Sequence, residues 1–238
     1  MITDFHSHVL PGLDDGSASL EESIAMLRMA SEQGIRHVIA TPHFYPRHDS
    51  PERFLTRRAR AEAILREEMA KYEDLPKLSL GAEVYFFQGI SDSDEIQALT
   101  IDKTGCILLE MSGSPWTDSM YHEMEEIRAK QGIMPLIAHV DRYIGPLRTY
   151  GIPDRLAEFP VLVQANASFF LRTATRGMAM RLLRNRKIHL LGSDCHNLTD
   201  RKPNLGLAVS SIEQKLGSDT ISWIESNETY VLQSKNNI

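Results

Sequence analysis

Two histidines one residue apart, in Thr3-Asp4-Phe5-His6-Ser7-His8, are the first residues of the chain whose types and spacing suit chemistry. Side chains along an extended strand alternate faces, so His6 and His8 share a face and their imidazoles converge on one point. That is a metal-ligand arrangement. Taken alone, the pair reads equally as two half-buried strand histidines, because His-x-His arises by accident. What separates the readings is that further ligand types, His43, Glu83, Glu110, His139, Asp194 and His196, recur where apolar strand-like runs end.

These runs cover 1–5, 35–40, 78–83, 106–110, 134–138, 161–165 and 188–191. Helical patterns lie between them. Ser17 or Ser19 caps a helix whose apolar face carries Leu20, Ile24, Leu27 and Ala30, and Gly34 ends it. A charged helix over 51–71 has one inward stripe of Phe54, Ala61, Leu65 and Met69, while Arg57, Arg58 and Arg60 read as a solvated face. Further helical stretches are expected at 94–99, 117–130, 168–186, 205–216 and 221–226, and Pro42 is expected to lead the second strand into a loop. Alternating strands and helices predict an α/β fold with a mainly parallel sheet covered on both faces. About seven units with no linker rich in Pro, Gly or Ser favour one closed barrel, a single domain over 1–238, with a doubly wound open sheet as the alternative.

Composition narrows the function. The chain has 238 residues, 42% hydrophobic and 24% charged, as an ordinary globular protein does. A net charge of −6 argues against nucleic acid, which is gripped by clustered Lys and Arg. Two cysteines, Cys106 and Cys195, make no disulfide framework, there is no signal-peptide pattern, and no apolar run is long enough for direct membrane insertion. The expected location is cytoplasmic.

In a parallel barrel the C-terminal strand ends gather on one face, where such enzymes place their chemistry. Every expected strand but the sixth delivers a His, Asp or Glu there. Mixed imidazole and carboxylate ligands without thiolate suit Zn²⁺, Mn²⁺ or Fe²⁺. So many ligands exceed the needs of one ion. Two or three ions bridged by a carboxylate and a hydroxide suit hydrolysis at phosphorus.

The set His6-Ser7-His8 with Gly12-Leu13-Asp14-Asp15-Gly16, Ala40-Thr41-Pro42-His43, Gly81-Ala82-Glu83, Leu109-Glu110, Ile137-Ala138-His139-Val140-Asp141-Arg142-Tyr143 and Ser193-Asp194-Cys195-His196-Asn197 resembles the polymerase and histidinol phosphatase (PHP) family. More closely, it resembles that family's manganese-dependent bacterial protein-tyrosine phosphatases, of the capsule and exopolysaccharide type. The resemblance runs nearly end to end and implies a distorted (β/α)7 TIM-like barrel, the PHP fold, holding three divalent ions. Mn²⁺ is the expected metal, with Fe²⁺ or Zn²⁺ as alternatives. It implies one ion on His6, His8, Glu83 and Asp194, with Glu83 bridging to a second on Glu110 and His139. The third would take Asp14, His43 and His196, and Asp14, next to Asp15, counts among the catalytic residues too. The implied reaction is attack of a metal-bound hydroxide on phosphotyrosine in the tail of a membrane-associated bacterial tyrosine kinase that controls capsular or exopolysaccharide synthesis. Two other readings are a small phosphomonoesterase such as a histidinol phosphatase on the same centre, and a noncatalytic kinase-binding metalloprotein.

Arg142 lies three residues beyond His139, and Arg201 sits in the loop after His196. A guanidinium offers paired planar donors that match phosphate oxygens, and the resemblance supports both as phosphate contacts. Phe44, Tyr45 and Tyr143 stand beside ligands and are candidates to pack against a phenolic ring. Cys195 and Arg201 also fit Cys-x5-Arg, the spacing of cysteine-dependent tyrosine phosphatases. The intervening residues contain no glycine and include Asp200, whose charge opposes both phosphate and thiolate, so the metal reading is preferred.

Overall fold

The structure, a computed structural model, describes residues 2–102, 104–144 and 151–234. Its strands are β1 (Thr3–Ser7), β2 (His37–Ala40), β3 (His43–Phe44), β4 (Lys77–Leu80), β5 (Glu83–Tyr85), β6 (Cys106–Glu110), β7 (Met134–Ile137), β8 (Leu162–Asn166) and β9 (Leu190–Gly192). All pairings among them are parallel, in the orders β1-β2-β4 and β3-β5-β6-β7-β8-β9.

Pro42 does not end the second strand. Proline lacks an N–H, and the chain resumes as β3 directly after Thr41-Pro42, just as β5 resumes after Gly81-Ala82. The ladder crosses both breaks, because Gly81 N–H donates to the Ala40 carbonyl at 2.8 Å and Glu83 N–H to the Pro42 carbonyl at 3.0 Å. β2 with β3, and β4 with β5, are therefore two bent strands side by side. The last strand then returns to the first. Ser7 bridges Cys195, Asp194 N–H donates to the His6 carbonyl at 2.8 Å and His8 N–H to the Cys195 carbonyl at 2.9 Å. The sheet is thus a distorted seven-strand barrel, and the open sheet is set aside.

Around it lie α1 (Leu20–Glu32), α2 (Pro51–Met69), α3 (Asp118–Gln131), α4 (Ile152–Leu156), α5 (Ala167–Leu171), α6 (Thr173–Arg184), α7 (Leu205–Leu216) and α8 (Ser218–Gln233). Ser19 caps α1 by accepting from Glu22 N–H, and Ser50 does the same for α2 ahead of Pro51 at its first turn. The expected helix over 168–186 is two helices, because Arg172 is extended at φ −71°, ψ 128°. α4 carried no usable periodic signal at five residues. α8 runs well beyond the expected 221–226 because Ile224, Glu228 and Val231 are all buried against the barrel.

Strand alternation separates two apolar layers. Phe5, Ile39, Leu108, Leu136 and Leu190 fill the barrel, and Val231 of α8 joins them, while Val38, Ile107, Leu109, Ile137 and Val163 face the helices. The same alternation turns Ser79, Glu83 and Glu110 inward. Arg58 departs from the solvated face expected of it. Its guanidinium turns in to the Gly81 carbonyl at 2.6 Å, in the break between β4 and β5.

Candidate metal centre

The barrel interior is mainly apolar, and at the C-terminal strand ends it becomes a dense cluster of imidazoles and carboxylates. Glu83 is the hub, 1% exposed, with Oε2 3.1 Å from His6 Nε2, 3.2 Å from His8 Nε2 and 3.0 Å from His43 Nδ1. Its Oε1 lies 2.7 Å from His139 Nε2. His6 Nε2 and His8 Nε2 are 3.1 Å apart, so the two imidazoles do meet as alternation requires. Burial opposes ionisation of Glu83, but His6, His139 and His43 outweigh it and hold the carboxyl well below the usual range.

Three positions depend on irregular backbone. Phe5 faces the barrel interior, so regular alternation would turn His6 outward, and a register shift between Asp4 and Ser7 brings it in. His139 has φ 30° and Asp194 has φ 53°, left-handed conformations that non-glycine residues rarely adopt. His139 turns its ring to Glu83, and Asp194 turns its carboxylate to His6 and the two arginines. Local strain of this kind clusters at functional sites.

The side chains fall into three groups with ligand atoms within 4.8 Å of one another: His6, His8 and Asp194; His8, Asp15, His43 and His196; and His43, Glu83 and Glu110. His139 joins through Glu83 and lies 3.7 Å from Glu110 Oε1. Asp14, expected among the ligands, faces elsewhere. Its Oδ2 accepts from His8 Nδ1 at 2.8 Å and from His43 N–H at 3.0 Å, and its Oδ1 accepts from Gly16 N–H at 3.0 Å. Asp15 instead places Oδ1 3.3 Å from His43 Nε2 and 3.4 Å from His196 Nε2. Adjacent residues point in different directions in this turn, and the sequence does not say which points in.

The cluster fits cations on an observation independent of resemblance. Among the described residues, His43 Nδ1, Glu83 Oε2, Glu110 Oε2, His139 Nδ1 and His196 Nε2 are buried with no neighbour in hydrogen-bond geometry, although Glu83 Oε2 and His43 Nδ1 lie 3.0 Å apart. A buried polar atom left unsatisfied costs about 1–3 kcal/mol, and five on the residues of one cluster are rare in a native fold. Divalent ions satisfy N and O lone pairs together, and without thiolate the donors suit Mn²⁺, Fe²⁺ or Zn²⁺.

Both expected arginines reach the cluster. Arg142 donates through Nη2 to Asp194 Oδ2 and has Nη1 3.6 Å from Glu110 Oε1. Arg201 donates to Asp194 Oδ1 at 2.8 Å. The loop that returns Arg201 is held by its own backbone: its carbonyl accepts from His196 N–H at 2.8 Å and its N–H donates to Asn197 Oδ1 at 3.1 Å. Arg142 and Arg201 keep 40% and 35% exposure, so both guanidiniums line the open side of the cluster.

The sixth strand, β8, lacks a charged end but is not idle. Gln164 Oε1 accepts from His139 N–H at 2.6 Å and lies 3.4 Å from His6 Nδ1. Its Nε2 donates to Asn166 Oδ1 at 3.1 Å, and Asn166 Nδ2 donates to Asp194 Oδ2 at 2.9 Å. Two buried amides thus tie three cluster residues together. A polar pair at alternate positions of a buried strand was the signal for them, and ligand counting passed over it.

Of the three aromatics, Phe44 is buried against Phe54, and Tyr143 is buried with its hydroxyl accepting from Met111 N–H at 2.8 Å. Tyr45 alone is exposed, stacked on His43 with ring centroids 5.1 Å apart. Cys195 is 2% exposed, burial pushes its thiol up, and Arg201 pairs with Asp194 instead. That geometry offers no thiolate nucleophile.

Known proteins match this chain along nearly its whole length. A family model described as capsular polysaccharide synthesis, CpsB/CapC, matches residues 2–233. Tyrosine-protein phosphatase YwqE of Bacillus subtilis (strain 168) is 27% identical, over 98% of this chain and 92% of its own. Tyrosine-protein phosphatase CpsB of Streptococcus pneumoniae is 26% identical, over 90% of this chain and 91% of its own. A crystal structure from work on YwqE of Bacillus subtilis and CpsB of Streptococcus pneumoniae, described there as metal-dependent tyrosine phosphatases, superposes with a TM-score of 0.85 at 24% identity. It covers 98% of this chain and 96% of that one, and at this identity it establishes the fold.

Proposed function

Since the chain belongs to the CpsB/CapC capsular polysaccharide synthesis family, we propose that it is a metal-dependent protein-tyrosine phosphatase acting on a bacterial tyrosine kinase of capsule or exopolysaccharide synthesis. The observation that carries this reading is the hub of Glu83, surrounded by three ligand groups with orphaned buried atoms and overlooked by two arginines.

His6, His8, Glu83 and Asp194 would hold one ion, Glu83, Glu110 and His139 a second, and Asp15, His43 and His196 a third. Mn²⁺ is the metal we favour. Bound there, such ions supply Lewis acidity and lower the pKa of water enough to make a nucleophile at neutral pH.

The chain's own residues do the rest. Asp14 fixes the His8 ring by accepting from its Nδ1, which leaves Nε2 facing the cluster. Gln164 holds the His139 backbone by accepting from its N–H, and Asn166 holds the Asp194 carboxylate by donating to Oδ2. Arg142 and Arg201 present donors towards the open side, where phosphoryl oxygens gain charge in the transition state. Tyr45 offers a stacked ring at that opening. The leaving phenol has a pKa of about 10, so departure does not demand a strong acid. The expected partner is the phosphotyrosine tail of a membrane-associated kinase met from the cytoplasmic side. Among the described residues no helix is long and apolar enough to cross a membrane.

The test is phosphate release by the Mn²⁺-loaded chain from a tyrosine-phosphorylated peptide and from histidinol phosphate at equal concentrations. The peptide is expected to be preferred, and His139→Ala to lose at least about 10³ of the rate. Preference for histidinol phosphate would overturn the proposal.

A further inference from the structure

A second feature opens from the same face. Beside the cluster lies a groove of about 530 Å³ lined by Tyr45, Arg47, His48, Tyr85, Phe87 and Gln88, among others. Its position follows from the strands. Tyr45 stands two residues after His43 and Tyr85 two after Glu83, so the residues leaving the strand ends build the groove while the strand ends themselves build the cluster. The two are physically continuous: Phe86 N–H donates to the Glu110 carbonyl at 2.9 Å, and the Tyr45 ring stacks on His43 on one side and lies 5.8 Å from the Tyr85 ring on the other. Tyr45 is the shared wall.

The groove has aromatic rings in its floor and the Arg47 guanidinium at its rim. Tyr85 and Phe87 are half-buried there, while Arg47 and His48 are exposed. Neighbouring Asp49 is within ion-pair reach of Arg53 and Arg57, and Arg47 has no ion pair among the described residues. In a chain of net charge −6 an unpaired arginine beside an aromatic floor is a specific complement.

We propose that this groove is a specificity subsite for the peptide flanking the phosphotyrosine, taking an apolar or aromatic side chain on Tyr85 and Phe87 and a carboxylate on Arg47. The inference rests on the tyrosine-phosphatase reading and adds to it which sequences are preferred.

Two phosphotyrosine peptides distinguish the outcomes, one with glutamate and one with lysine two residues from the phosphotyrosine, alongside p-nitrophenyl phosphate, which has no flanking residues. The wild-type chain is expected to prefer the glutamate peptide in kcat/KM by roughly 3–10-fold, through KM. Arg47→Glu should reverse that order. Equal ratios in the two proteins, with both peptides turned over, would overturn the subsite and leave the phosphatase standing. Turnover of p-nitrophenyl phosphate but of neither peptide by the wild type would remove the tyrosine-phosphatase reading, and the subsite with it.

Discussion

Asp14 Oδ2 accepts from Nδ1 of His8 at 2.8 Å, which makes Asp14 the residue that orients the His8 ring while Asp15, next in the chain, faces His43 and His196. The two neighbours should therefore fail differently. Asp15→Asn is expected to bind one ion fewer per chain, whereas Asp14→Asn should keep the full number at roughly 10–100-fold weaker affinity. Metal content after dialysis against graded chelator measures both. Loss of an ion in Asp14→Asn with none lost in Asp15→Asn would reverse the assignment.

Asn166 and Gln164 make a parallel case without any charge. Gln164→Leu leaves the buried N–H of His139 unpaired, at a cost of about 1–3 kcal/mol. Thermal unfolding of the metal-free chain should show that loss. The rate of the Mn²⁺-loaded enzyme should fall too, because His139 holds a left-handed turn that this bond supports.

Gly192 packs against the site so closely that a Cβ there would lie 2.5 Å from His6 Cβ and 2.8 Å from Gln164 Nε2. Gly192→Ala must push His6 or Gln164 aside. The expected outcome is weaker metal binding together with destabilisation of about 1–3 kcal/mol, read by unfolding with and without Mn²⁺. An unchanged midpoint in both conditions would contradict the packing.

Cys195 tests the thiol alternative directly. Cys195→Ala is expected to keep turnover within about twofold while losing roughly 1 kcal/mol of stability from the vacated space. Abolished activity with metals still bound would restore the thiol mechanism.

Glu228 gives a pH dependence away from the site. It is 2% exposed in α8, Oε2 accepts from Thr3 N–H at 3.0 Å, and Oε1 has no hydrogen-bond partner among the described residues. Burial pushes its carboxyl from 4.5 up to about 8. The folded chain keeps this proton while the unfolded chain gives it up, so the stabilisation is complete below about 4.5 and is lost as pH rises towards about 8. Glu228→Gln should flatten the fall in unfolding midpoint across that window. An identical slope in both proteins would show that Glu228 ionises as freely in the fold as outside it.

What the sequence determined by itself was the sheet and most of the imidazoles and carboxylates that gather at its strand ends. Strand β6 and helix α7 were legible to the residue, because an apolar run with a carboxylate at its end and a 3.6-residue stripe are local signals. The histidines and carboxylates at strand ends followed from the same local pattern, and the parallel barrel from their alternation with helices. Tertiary structure decided what each side chain faces. Asp15 rather than Asp14 meets His43 and His196, Gln164 and Asn166 become supports, and Pro42 bends a strand instead of ending it. Arg58 turns inward, and Arg47, in the groove with Tyr85, has no ion pair among the described residues. In each case the deciding quantity is a direction set by φ, ψ or by a contact from a distant segment: the register shift before His6, the left-handed turns at His139 and Asp194, the Gly81 carbonyl freed by a strand break. Residue type carries what a side chain can do, and only the folded backbone carries where it points.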